Sequence, residues 1–379
     1  MTVRKKIAVI IGTRPEAVKL APVIEALHSS KRLRAHVILT GQHRELLDGA
    51  LESLNIHADE TLQTMAPGQS LAQLTASLIN GLGSALGQSD CAGALVQGDT
   101  TSAFSGALAA FYAGVPVGHV EAGLRTETIR SPFPEEANRR LIARLAHWHF
   151  APTPKARKRL LQEGVDAQAV TVTGNTVIDA LVKKKKAIDS NPSLTDERMR
   201  ALIGSDWRKR RIVLATLHRR ENHGRPLAQI CEGLRSIALL ADDISVILPV
   251  HANPSVKGPV TEALGGIANI HLVDPLAYDD LLRVLSAAHL AVTDSGGIQE
   301  EAPSFQTPVI VTRQETEREE AVDAGAALLA GHDAEKIFTA AHDLLTDDHR
   351  HRAMIVEENP FGDGAASARI CKILEEALG

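Results

Sequence analysis

The chain has 379 residues, 44% of them hydrophobic and 23% charged, a length and balance that fit a soluble protein of two domains better than one core. Its formal charge of −5 leaves no basic excess for nucleic acid or an anionic membrane, so a negatively charged ligand has to be held by a few aimed groups. No run of about 18 apolar residues predicts a transmembrane helix, and Cys91, Cys231 and Cys371 are too scattered for a metal or redox site, which points to a reducing, cytoplasmic setting.

The N-terminus carries a basic start and a short apolar run that ends in Arg14-Pro15-Glu16 rather than in a cleavage site, so it reads as a first strand. From there, β-branched runs alternate with helical patterns, the signature of α/β folding around parallel sheets. The first half predicts strands at Ile7–Ile11, His36–Leu39, Ala94–Gln97, Val117–Val120 and Val170–Val172. The second half predicts them at Ile212–Thr216, Ser245–Pro249, His271–Val273, Leu290–Thr293 and Val309–Thr312. This pattern predicts two doubly wound sheets, each with a ligand crevice at the carboxyl ends of its strands. The domain boundary is expected near Gly174, giving domains 1–174 and 175–361. The turn-rich segment Pro360–Gly364 is expected to let a last helix, 362–379, cross back to the first domain.

Chemistry gathers where strands end. The first strand runs into Gly12-Thr13-Arg14-Pro15-Glu16 and a helix bearing Lys19, a turn whose amides and helix dipole suit an anion, with Arg14 and Lys19 as fixed charges. The spacing is not that of a dinucleotide fingerprint. Asp99 follows the next strand end and is also placed to cap a helix; Glu121 ends another strand, and Glu135 opens a helix after Pro134. Three acids at successive loops of one sheet edge suit a general acid and base pair, because crowded carboxylates separate their protonation states. In the second half, His218-Arg219-Arg220-Glu221 and His251 again follow strands. Ser295-Gly296-Gly297 is built for close approach of amides to phosphate, and Glu301, one turn into the next helix, can accept from a ribose. Arg318, in the following loop, could complete that pocket.

Taken together, GTRPEAVKLAPVI, TGQHRE, QGDTTS, PVGHVEAGLRT, PFPEEANR, VTGNTVIDAL, HRREN, PVHANP and TDSGGIQEEAPS resemble, in order, the non-hydrolysing UDP-N-acetylglucosamine 2-epimerase family. The match runs from Gly12 to Arg318, and NPFGDGAAS extends it towards the C-terminus. The resemblance implies a GT-B-like fold of two Rossmann-type domains with the active site in the interdomain cleft, a homodimer, and a UDP-N-acetylhexosamine substrate. It implies interconversion of UDP-N-acetylglucosamine and UDP-N-acetylmannosamine without NAD or metal. The implied route is anti elimination of UDP to 2-acetamidoglucal followed by re-addition. It implies acid/base roles for Asp99, Glu121 and Glu135, assistance to UDP departure by His218, and a basic pair in Arg14 and Lys19. Ser295, Gly296 and Gly297 would hold the diphosphate, and Glu301 the ribose.

Some members of the family bind a second UDP-N-acetylglucosamine as an activator. Gln42, His43, Gln69, Glu136 and His251 correspond to part of that site, while Gly68 stands where some regulated members have an arginine. Gln314, Glu315 and Glu319 depart from the family's usual loop after Arg313. A hydrolysing relative, an epimerase of a modified sugar nucleotide, a GT-B glycosyltransferase and a non-catalytic UDP-sugar sensor are the alternative readings.

Overall fold

A computed structural model describes residues 3–41, 49, 51–52, 54–66 and 68–379. They form two compact units, Met1–Ala180 with Phe361–Gly379, and Leu181–Pro360. The first holds a seven-stranded sheet of β1 (Lys5–Ile11), β2 (Leu33–Leu39), β3 (Glu60–Thr61), β4 (Cys91–Gln97), β5 (Val117–Val120), β6 (Trp148–Ala151) and β7 (Val170–Val172), ordered β3-β2-β1-β4-β5-β6-β7. The second holds a six-stranded sheet of β8 (Arg211–Thr216), β9 (Ile244–Pro249), β10 (Ile270–Val273), β11 (Leu290–Thr293), β12 (Val309–Val311) and β13 (Ala327–Leu329), ordered β10-β9-β8-β11-β12-β13.

All pairings are parallel. Both orders are those of a doubly wound sheet, whose strand order reverses at β1/β4 in one unit and at β8/β11 in the other. The expected α/β class with two Rossmann-type sheets, the GT-B-like pattern, is what forms.

The strand period builds the core of the first unit. Ile7, Val9 and Ile11 enter one buried cluster with Leu20 and Val23 of the helix Arg14–Ser29 and with Ile370 and Leu374 of the helix Ala366–Leu378. Ala8 and Ile10 point the other way, into a cluster with Leu78, Leu82, Ala103 and Ala107. A strand covered on both faces reads as a continuous apolar run, as Ile7–Ile11 does. In the second unit Val213, Val246, Val292 and Ile310 pack with Ile230 and Leu234 of the helix Arg225–Ala238 and with Ile337 of the helix Ala334–Thr346. Each fully buried side chain of this kind contributes about 1.5–3 kcal/mol.

The units divide after Ala180, inside the helix Thr176–Ser190, rather than near Gly174. Hydrogen bonds explain the shift. The Asn175 amide donates to Phe361 O at 2.7 Å, and the buried Asp179 accepts from Ser367 N at 2.7 Å and Ala366 N at 3.1 Å. The first turn of that helix therefore caps the last helix of the chain and stays with the first unit.

Candidate active site

The first unit gathers its polar residues at the carboxyl ends of β1, β4 and β5, beside the switch point. Gly12, just past β1, has to be glycine: a Cβ there would lie 2.2 Å from Ser102 Oγ and 2.8 Å from Thr40 Oγ1. The turn it makes is not an open anion cradle, contrary to expectation. Glu16, 1% exposed, accepts from Gly12 N at 2.8 Å and Thr13 N at 2.6 Å, and also from Thr100 Oγ1. The physical reason lies in Thr13-Arg14-Pro15-Glu16, where Glu16 is the returning acid of a capping box. Burial pushes the Glu16 carboxyl above its ordinary range, against the pull of those donors. Arg14, at the first position of the helix, is exposed.

Lys19 lies one turn further along and meets Glu121. Its Nζ donates to both carboxylate oxygens, at 2.7 and 2.8 Å, with side chains 12% and 4% exposed. Gln97 Nε2, at the end of β4, and Asn175 Nδ2, at 3.3 Å, donate to the same carboxylate. Glu121 holds a left-handed backbone with φ 67°, a conformation that costs a residue with a Cβ on the order of 1–3 kcal/mol. Strain of this kind persists where surrounding contacts fix one side chain in one place.

Asp99 stands at the neighbouring strand end. A Cβ on Gly98, the residue before it, would lie 3.8 Å from Glu121 Oε2. Arg139 binds the Asp99 carboxylate, with Nε at 2.7 Å and Nη2 at 2.6 Å, and Asn138 Nδ2 donates to Asp99 O at 2.8 Å. Both partners sit on the helix Glu135–Leu145, so this helix meets the Asp99 loop through Asn138 and Arg139, and Glu135 is its first residue.

On β5, the buried His119 bonds through Nε2 to Gly98 O at 2.8 Å, and burial lowers its pKa to about 4. Its register partner on β6, His149, is likewise lowered by burial to about 4.

Of the residues expected at a second ligand site, Gln42 and His43 lie outside the described residues. Gln69 is taken up locally, donating to Thr64 O at 3.1 Å and Ser77 Oγ at 3.2 Å while accepting from Ala66 N at 3.1 Å. Glu136, fully buried, accepts from Thr126 N at 3.1 Å, Arg139 Nη1 at 3.1 Å and Arg140 Nε at 2.8 Å.

The second unit repeats the logic with other residues. Asp294, at the end of β11 and fully buried, accepts from His218 N, Arg219 N at 3.0 Å and Asn222 Nδ2 at 2.9 Å, and lies 3.1 Å from His218 Nδ1. Burial works against its ionisation, but the His218 ring and the two amides outweigh burial and hold the carboxyl below its ordinary range. The His218 side chain is 40% exposed, and the exposed His251 stacks against it with ring centroids 6.3 Å apart.

After Asp294 comes the glycine turn. Built Cβ positions place Ser295 Oγ at 3.7 Å and Glu301 Oε1 at 4.0 Å from Gly297, so hydroxyl and carboxylate flank one small surface. Tyr278 Oη donates to Glu301 Oε1 at 3.0 Å; burial and then the Glu301 charge push the Tyr278 phenol up. Arg318 packs beneath Gly296, where a Cβ would lie 2.9 Å from its Cζ. It pairs with Glu300 at 2.9 Å and with Glu317, which also takes Arg313 at 2.8 Å. The departing loop after Arg313 is thus anchored by a buried ion-pair network, and Thr316 Oγ1 bonds Gln299 at 2.6 Å.

Residues 25–375 match the family model described as UDP-N-acetylglucosamine 2-epimerase. The chain is 44% identical over 370 residues to the UDP-N-acetylglucosamine 2-epimerase of Escherichia coli, covering 98% of each. The chain belongs to the UDP-N-acetylglucosamine 2-epimerase family, a family of isomerases.

Solved members are similar throughout. The Neisseria meningitidis UDP-GlcNAc 2-epimerase bound to UDP-GlcNAc is 41% identical with a TM-score of 0.92, covering 98% of this chain and 100% of that one. The Methanocaldococcus jannaschii enzyme in complex with UDP-GlcNAc and UDP is 31% identical with a TM-score of 0.84, covering 98% and 99%.

For this family member, sequence reasoning singled out the strand-end acids, His218 and the glycine turn. It did not give roles to Glu16, Gln97, Asn175, Arg139 or Asp294. Only Glu16 had a local signal, its capping-box spacing. The others act on partners brought together by sheet order, such as Asn175 on Glu121 and Asp294 on His218.

Proposed function

We propose that the chain interconverts UDP-N-acetylglucosamine and UDP-N-acetylmannosamine without releasing free sugar. One of Asp99, Glu121 and Glu135 takes the proton from carbon 2. The electrons of that bond form the carbon 1–carbon 2 double bond of 2-acetamidoglucal, and UDP departs with the pair of the broken carbon 1–oxygen bond, anti to the lost proton. Return of UDP to carbon 1, with protonation of the opposite face of carbon 2, gives the epimer.

The observation that carries this reading is Glu121. A carboxylate clamped by Lys19, Gln97 and Asn175 at a left-handed position, beside the Asp99 loop, is held for chemistry rather than for solvation. Arg14 adds positive charge near the substrate. Ser295, Gly296 and Gly297 hold the diphosphate, with Arg318 bracing Gly296 from below, and His218 assists UDP departure. The chain works in the cytoplasm as a homodimer; the exposed Phe111 and Tyr112 at one helix end suit a self-contact.

The test is proton NMR of UDP-N-acetylglucosamine with the enzyme in heavy water and no added cofactor. UDP-N-acetylmannosamine carrying deuterium at carbon 2 is the expected product. Free N-acetylmannosamine with UDP would make the chain a hydrolysing relative, and an unchanged spectrum would defeat the proposed substrate.

Glu301→Ala tests the nucleotide side. Removing the acceptor proposed for the ribose hydroxyls is expected to weaken UDP binding by about 1.5–3 kcal/mol, roughly 10- to 100-fold, in calorimetry. The fold should survive, with stability lower by about 1–3 kcal/mol because the Tyr278 hydroxyl loses this acceptor. Unchanged affinity would remove Glu301 from the ribose site.

A further inference from the structure

We propose that Asp294 is a positioning residue for the reaction: its buried carboxylate holds the Nδ1 edge of His218, leaving Nε2 as the edge that meets the departing diphosphate. The inference rests on the role given to His218 above and goes one residue deeper.

Asp294 ends β11 and the His218 loop follows β8, and these two strands pair directly across the switch point, with Thr293 opposite Thr216. That pairing sets the fully buried carboxylate beneath the loop. An acid that served only to anchor the loop would need only backbone amides and Asn222, and Asp294 has these: His218 N at 3.1 and 3.0 Å, Arg219 N at 3.0 Å, and Asn222 Nδ2 at 2.9 Å. The additional contact, His218 Nδ1 at 3.1 Å from Oδ1, concerns the imidazole itself. A carboxylate at Nδ1 selects, in the neutral ring, the tautomer that carries its proton there, fixes the ring plane, and stabilises the imidazolium, the form whose Nε2–H can donate to a diphosphate oxygen.

Among the described residues, the other charged or titratable groups recorded near the ring or beside it in the chain have places of their own. His251 stacks on it at 6.3 Å, Arg219 neighbours it in the chain and reaches Glu317 at 3.9 Å, and Glu221 is taken by Arg313 at 2.6 Å. Among the described residues, Asp294 is the carboxylate recorded against the imidazole.

The experiment is a double-mutant cycle of Asp294→Asn and His218→Asn with UDP-N-acetylglucosamine, joined to ¹⁵N NMR of histidine-labelled protein in which His218→Asn assigns the signal. Asp294→Asn alone is expected to lower kcat about 10- to 100-fold, the usual cost of losing such an orienting partner, with KM nearly unchanged. In the His218→Asn background the same substitution should cost nothing further, because the residue it positions is gone. The wild-type spectrum should show neutral His218 protonated on Nδ1, and the Asp294→Asn spectrum should show it on Nε2.

Losses that multiply in the double variant would reduce Asp294 to a loop anchor and overturn the proposal. So would a wild-type His218 protonated on Nε2, a result that needs no turnover. Full activity in His218→Asn is a different failure: it would remove His218, and Asp294 with it, from the reaction while leaving the epimerase reading in place.

Discussion

Glu121→Gln is expected to lower kcat by about 10²- to 10⁴-fold, the range for loss of a general acid or base, and to destabilise the first unit as well. The amide keeps the size of the carboxylate but sets no charge against Lys19, whose ammonium is only 12% exposed. Removing one partner of a largely buried pair costs about 3 kcal/mol because the other charge is left behind. The two effects can be separated. In Lys19→Met/Glu121→Gln the stranded charge is gone, so most of the stability should return while turnover stays low. Thermal melts and steady-state kinetics on the three variants decide it. A single variant with near-normal turnover would take Glu121 out of the acid/base set. A double variant no more stable than Glu121→Gln would show that the pair does not govern local stability.

The second large effect concerns acid. His119 and His149 have pKa values of about 4 in the folded chain because burial disfavours their charged forms, against 6.5 for an ordinary histidine. Between these values the unfolded chain binds more protons than the folded one, so stability is full above pH 6.5, falls as pH drops towards 4, and changes no further on their account below that. Each ring accounts for about 3 kcal/mol across the window. Glu16 and Asp179, raised by burial, act in the opposite sense, since they bind protons more readily when folded.

His119→Asn isolates the histidine part: its stability should depend less steeply on pH than that of the wild type between pH 7 and 5. The chain has 2 tryptophans, Trp148 beside His149 in the first unit and Trp207 in the second. Urea titrations of a Trp207→Phe background, followed by Trp148 fluorescence, therefore report on the unit concerned. Equal slopes with and without His119 would sink the assignment.

Strand prediction succeeded where apolar or β-branched residues lie between turn signals. Val117–Val120, Val170–Val172 and Leu290–Thr293 formed with the predicted ends, and the strands β1, β2 and β4 began a few residues earlier than their apolar cores. It failed at β3, β6 and β13. Glu60–Thr61 is a two-residue edge with a polar sequence. Ala327–Leu329 is short and made of residues that also favour helix. Trp148-His149-Phe150-Ala151 hides its buried face behind a histidine, because His149 is neutral and packed inside.

The site divides in the same way. Residues that sit at a strand end and are proposed to carry the chemistry, Asp99, Glu121 and Ser295, stand out by pattern and resemblance. Those that hold the first set in place, such as Asn175 or Asp294, do not. Their partners lie at a distance in the chain that only the order of the sheet closes.

The Glu16 carboxylate has a further consequence. It is, in effect, a ligand bound permanently to the turn after β1, tethered a few bonds away from the amides it occupies. A dissolved phosphate would compete against an intramolecular rival whose local concentration far exceeds that of a metabolite. Of the two turns that follow the central strands, one is thus sealed by the chain's own acid. Opening that turn to an anion would first require the Glu16 carboxylate to leave the Gly12 and Thr13 amides.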